Sequence, residues 1–138
     1  MRIMAIDYGD AHTGIAISDP TGLLAGFTTV INSRRLEVVV EQVTLLAKEH
    51  GAEELVLGHP VNMDGTLGPR SEKAKAMKAL LEEATALPVV LWDERRTTID
   101  AHNILFNSGK NAKQRKKVVD AVAASLILEG YLTFKKSH

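Results

Sequence analysis

Three acidic residues stand where buried elements end. Asp7 closes the apolar run Ile3-Met4-Ala5-Ile6, Glu94 follows Trp92-Asp93, and Asp120 lies near the start of a long final helix. Carboxylates gathered at one place repel, and at least one takes up a proton unless a cation intervenes. Magnesium or manganese meets that need, because hard divalent ions take oxygen ligands and keep several of their waters. Two such ions about 3.5–4 Å apart activate a water and stabilise the leaving oxygen in phosphodiester cleavage. An acid alone at a strand end is ordinarily structural or solvated, so this chemistry depends on the elements that bring the acids together.

Other residues bear on the same chemistry. Gly9 and Gly14 frame the segment Asp7-Tyr8-Gly9-Asp10-Ala11-His12-Thr13-Gly14. That is a tight turn where backbone can approach a phosphate, although a hairpin needs glycine in any case. Gly14 is followed by Ile15 and Ala16, so this is no Walker A loop, which requires Lys-Ser/Thr. Lys110, Lys113, Arg115, Lys116 and Lys117 cluster shortly before Asp120, and Arg95 pairs with Arg96. The cluster reads either as a solvated face or as a set of backbone-phosphate contacts on the approach to the acids. The stretch from Gly58 to Thr66 reads either as a loop over the site or as a long surface loop.

The elements that must position these residues follow from hydrophobic spacing. Ile3 to Asp7 reads as a buried strand, Gly14 to Asp19 as a second and Leu23 to Ile31 as a third. Their connections are too short for crossovers, so the pairs should be antiparallel. Ser33 can cap a helix over 34–50 with Leu36, Val39, Val40, Val43, Leu46 and Ala47 as its apolar stripe, and Gly51 stops it. A strand at 54–58, a helix from about Ser71 to Thr85 and a strand at 88–92 follow, an alternation that implies parallel pairing. Two helices, roughly Thr98–Asn107 and Lys113–Phe134, complete the chain. The outline is α/β, βββαβαβ then helices: one mixed sheet covered on its faces, forming a single domain over 1–138. On the last helix Asp120, Ala124, Ile127 and Tyr131 share one face, with small Ala123 and Ala124 allowing close approach to the sheet.

Composition narrows the classes. With 138 residues the chain can bury a core of its own, and 45% hydrophobic with 25% charged residues suits a globular protein. No apolar run is long enough to span a bilayer and no secretion signal opens the sequence, so a soluble, cytoplasmic protein without a membrane role is expected. The absence of cysteine excludes disulfides, zinc-thiolate sites and thiol catalysis. Seventeen Lys plus Arg balance seventeen Asp plus Glu, which argues against indiscriminate nucleic-acid coating and for a selective, structured substrate.

These stretches together resemble the YqgF/RuvX family, Holliday-junction-resolvase-like proteins also described as pre-16S rRNA nucleases. The resemblance runs nearly end to end. It rests on Ile6-Asp7-Tyr8-Gly9 with Gly14-Ile15-Ala16-Ile17-Ser18-Asp19, on Leu57-Gly58-His59-Pro60 with Asn62-Met63-Asp64-Gly65-Thr66, on Asp93-Glu94-Arg95 with Thr97-Thr98, and on Asp120-Ala121 with Ala123-Ala124 and Leu128-Glu129-Gly130-Tyr131-Leu132. It implies an RNase H-like fold with a five-stranded sheet, and a cytoplasmic nuclease using Mg²⁺ or Mn²⁺, in a two-metal site, to mature the 5′ end of 16S rRNA. Carried over by position, Asp7, Glu94 and Asp120 are the metal-binding and catalytic acids. Arg95 is a phosphate contact or an ion-pair partner of those acids, and Thr97 and Thr98 suit a helix cap. Gly9, His12, Arg95, Arg115, Lys116 and Lys117 form the expected substrate-binding set. One departure stands out: Ala11-His12-Thr13 occupies a stretch where the family often carries Arg or Lys-Arg. His12 supplies a full positive charge there only when protonated.

Other readings keep part of this pattern. A four-way DNA junction resolvase shares the acids but calls for a dimer with two sites, and the sequence leaves monomer and homodimer open. A noncatalytic RNA-binding module would keep the fold without needing all the acids. An actin-like or sugar-kinase ATPase shares the strand, Asp-x-Gly turn and strand, yet grips nucleotide between two related domains, and this chain has residues for one.

Overall fold

The computed structural model describes the backbone of residues 1–19, 25–59, 69–93 and 112–137, and their side chains except at 25, 69–70, 112–121 and 136–137. In chain order the elements are β1 (Ile3–Asp7), β2 (His12–Ser18), β3 (Ala25–Asn32), α1 (Leu36–His50), β4 (Glu54–His59), α2 (Pro69–Thr85), β5 (Val89–Asp93) and α3 (Ala112–Ser137). The strands form one five-stranded sheet in the order β3-β2-β1-β4-β5. β1, β2 and β3 pair antiparallel, whereas β1 pairs parallel with β4 and β4 with β5. Short links give the meander, and the helical crossovers give the parallel half, as expected. The expected helix at 98–107 lies outside the described residues.

Strand alternation divides the side chains between two cores. Met4, Ile6, Ile15, Ile17, Leu55 and Leu57 point to one face and pack with Val39, Val43 and Ala47 of α1 and Ala74, Met77 and Leu81 of α2. Ile3, Ala5, Ala16 and Val56 point to the other, against Ala124, Ile127, Leu128, Tyr131 and Leu132 of α3. Large aliphatics fill the first core. The second is floored by smaller residues, so α3 can lie close to the strands.

The helix ends show local chemistry at work. Gly51 ends α1 in the left-handed conformation at φ 68°, its N–H returning to the carbonyls of Ala47 and Lys48, a role that favours glycine. Ser33 does not cap α1 directly. Its Oγ accepts the Arg35 N–H at 3.1 Å, and Arg35 takes the cap position without a side-chain capping bond. α2 starts two residues earlier than its spacing suggests, at Pro69, because proline lacks a donor that the first helical turn would leave unused.

Candidate active site at the carboxyl edge of the sheet

Because β1, β4 and β5 are parallel, their carboxyl ends share one edge. Asp7 ends β1 there and is half-buried. Its parity is that of Ile3 and Ala5, so its side chain is on the α3 face. Gly14 on β2 is its register partner. On β4 the residue one step beyond the Ile6–Leu57 pair is Gly58, which in turn pairs with Trp92 on β5. Asp7 is thus flanked on both neighbouring strands by residues without side chains. At a strand spacing of about 4.8 Å, no side chain stands on the Asp7 face at its register position on either neighbouring strand. Gly14 is a strand residue beside Asp7, as its place at the head of the expected second strand implies; β2 itself begins two residues earlier, at His12.

The turn between β1 and β2 is tightly built. A Cβ on Gly9 would overlap the His12 carbonyl oxygen, so close approach of backbone requires glycine here. The turn is joined to the following chain by the Ser33 N–H, which donates to the Ala11 carbonyl at 3.0 Å. His12 stands opposite Asn32 in register, and its Nδ1 donates to Asn32 Oδ1 at 2.6 Å. That bond leaves Nε2 as the nitrogen open to another partner. Thr13 is fully buried, and its hydroxyl finds no hydrogen-bond partner among the described residues.

α3 is fastened at the opposite, amino edge. The Tyr131 hydroxyl donates to Glu54 Oε1, and Lys135 Nζ meets Glu54 Oε2 at 2.7 Å. Burial pushes the Tyr131 phenol well above its ordinary range, and the neighbouring Glu54 carboxylate pushes it further. Trp92 packs edge-on against Tyr131 and Phe134, with Gly130 giving way to its ring. Glu54 is the first residue of β4, and from this anchor α3 packs over β4, β1, β2 and β3. Asp120 precedes Tyr131 by eleven residues on the same helix, a rise of about 16 Å.

The remaining expected residues divide by what is described. Arg115, Lys116, Lys117 and Asp120 lie on α3, with side chains outside the described set. Glu94 and Arg95 follow the last residue of β5 and also lie outside it. β4 separates β1 from β5, so the ends from which Asp7 and Glu94 arise are about 10 Å apart. Among the described residues no three acids or histidines are grouped as a metal site. Three features carry no expectation from the sequence: the glycine pair flanking Asp7, the Glu54–Tyr131 anchor and a His59–Ser71 hydrogen bond. The glycine pair emerges only once β2 and β4 are in register with β1. The other two join residues 77 and 12 positions apart in sequence, and no local pattern marks them.

Known proteins share both the sequence and the fold. Residues 1–134 match the RuvX family, described as Holliday junction resolvase. A protein of Halothermothrix orenii named "Putative pre-16S rRNA nuclease" is 43% identical over 135 residues, covering 98% of this chain and 96% of that one. Among solved structures, T. thermophilus RuvC in complex with Holliday junction substrate has a TM-score of 0.65 at 13% identity, covering 99% of this chain and 96% of that one. The fold extends to part of a ROK hexokinase from Thermus thermophilus, with a TM-score of 0.51 and 22% identity, where 75% of this chain matches only 38% of the kinase. With the sheet order β3-β2-β1-β4-β5, an acid ending β1 and a match over nearly its whole length, the chain belongs to the RuvX family.

Proposed function

We propose that this protein is a nuclease that hydrolyses phosphodiester bonds at the carboxyl edge of the sheet, and that its substrate is the 5′ end of precursor 16S rRNA in the cytoplasm. The observation that carries the reading is Asp7: an acid at the end of a central strand, flanked by Gly14 and Gly58 and facing the helix that bears Asp120. The name borne by relatives at about 40% identity supports the choice of RNA.

The donor chemistry fits a hard divalent cation. Asp7, Glu94 and Asp120 offer only carboxylate oxygens. These residues would hold Mg²⁺ or Mn²⁺; such ions, when bound, supply charge stabilisation and an acidified water. The chain's own contribution is positional. Gly14 and Gly58 leave space for the scissile phosphate, the Gly9 turn brings backbone close to it, and Arg95, Arg115, Lys116 and Lys117 hold flanking phosphates. His12 contributes through Nε2, since Nδ1 is engaged by Asn32.

A second reading, cleavage of four-way DNA junctions, is supported by the family's description and by the RuvC fold. Both are tested by offering the purified chain a 5′-extended 16S precursor fragment and a four-way junction, each with Mg²⁺, with Mn²⁺ and with chelator. The proposal expects metal-dependent cleavage of the RNA in preference to the junction. Preferential cleavage of the junction would replace it with the second reading, and binding of ATP without cleavage of either would overturn both.

A further inference from the structure

The first turn of α2 is fastened to the same edge from the opposite face of the sheet. His59, the last residue of β4, has the parity of Leu55 and Leu57 and so faces α1 and α2. Its Nε2 lies 2.6 Å from Ser71 Oγ, and Ser71 has no exposed surface. Two residues on, Lys73 Nζ reaches Asp10, in the turn after Asp7, at 3.5 Å. Asp93 pairs with His59 in register and shares its face. Carboxylate, imidazole and hydroxyl in that order suggest a nucleophilic relay, but a fully buried Ser71 cannot meet a substrate. The exposed Lys73–Asp10 pair is weakened by water. The His59–Ser71 bond is partly sheltered, and removing the imidazole strands the buried Ser71 hydroxyl.

We infer that His59 is a positioning residue: through Ser71 it locks the end of β4 to the first turn of α2. The lock fixes Gly58, which stands beside Asp7, and Asp93, which immediately precedes Glu94. Its catalytic consequence rests on the nuclease reading, while the lock itself does not.

The test uses the full chain as wild type, Ser71→Ala, His59→Ala and His59→Gln, with amide hydrogen exchange and steady-state cleavage as readouts. In Ser71→Ala and His59→Ala, exchange around residues 57–59 and 71–73 should rise about tenfold while α1 stays unchanged. The kcat should fall about 10- to 100-fold, with KM within about twofold of wild type. His59→Gln, whose amide nitrogen reaches the position of Nε2, should recover both. Should His59→Ala not fold, Ser71→Ala and His59→Gln carry the comparison. Exchange in Ser71→Ala as slow as in wild type overturns the lock. Faster exchange with an unchanged kcat overturns the positioning role, as does a wild-type chain with no nuclease activity, where exchange alone then judges the lock.

Discussion

Two acids on the same face of the sheet, at opposite ends of adjacent parallel strands, have opposite surroundings. Glu54 opens β4 and is 8% exposed, with one oxygen taking the Tyr131 hydroxyl and the other the Lys135 ammonium. Asp7 closes β1 between Gly14 and Gly58, half-buried, with both flanks cleared of side chains. The first carboxylate is enclosed by residues that bind it and so fastens α3 to the sheet. The second is bordered on both neighbouring strands by glycines, the arrangement on which its proposed role rests. Burial of an acid therefore does not mark a site by itself; the neighbouring positions decide.

That contrast can be broken from either end. The largest stability effect is expected at Glu54: replacing it with Ala strands the Tyr131 hydroxyl and removes the partner of Lys135, at a cost of about 2–4 kcal/mol in chemical denaturation. Cleavage per folded molecule should stay at the wild-type level, and a selective loss of kcat would move Glu54 into the site. Gly9→Ala should do the reverse. The overlap with the His12 carbonyl displaces the turn beside Asp7, and a shift of that size lowers cleavage about 100-fold while costing about 1–3 kcal/mol. A Gly9→Ala chain with full activity would show that the turn plays no part.

Tyr131→Phe is the milder version of the anchor test, expected to cost about 1–2 kcal/mol at neutral pH. Its pH dependence has a definite sign. The folded phenol titrates above the ordinary tyrosine value of 10, so its contribution is complete below that pH and is lost as pH rises from there toward the folded value. Wild type should lose stability at alkaline pH more steeply than Tyr131→Phe; parallel curves would contradict the Glu54–Tyr131 account. The smallest effect is a gain. Ala86, in the link between α2 and β5, holds φ at 56°, and Ala86→Gly should stabilise the chain by about 1 kcal/mol without changing cleavage.

The element order was legible in the sequence because the local signals agree with the global fold. The apolar run from Ile3 to Ile6, the stripe through Val39 and Val43, and the stop at Gly51 each identify an element, and crossover length decides parallel against antiparallel. Asp7 could be found as the last residue of an apolar strand. Its flanking glycines could not, because Gly58 and Gly14 become its neighbours only once β4 and β2 are in register with β1. Turn chemistry through Gly9 and Asp10 sets the expected start of β2 at Gly14, although the ladder to Asn32 and Ile31 extends the strand to His12. Glu54 was invisible as an anchor, since its partners come from the other end of the chain. The placement of β4 between β1 and β5 is likewise a property of pairing, and no single segment encodes it.

The central claim is that Asp7 serves the reaction and leaves the fold alone, and one substitution tests it. Asp7→Asn keeps the shape of the side chain and removes its charge. With Mg²⁺ and a 5′-extended 16S precursor fragment, cleavage should fall by about 10³-fold or more, while the unfolding free energy stays within about 1 kcal/mol of wild type. Cleavage at the wild-type rate by a folded Asp7→Asn chain would contradict the account.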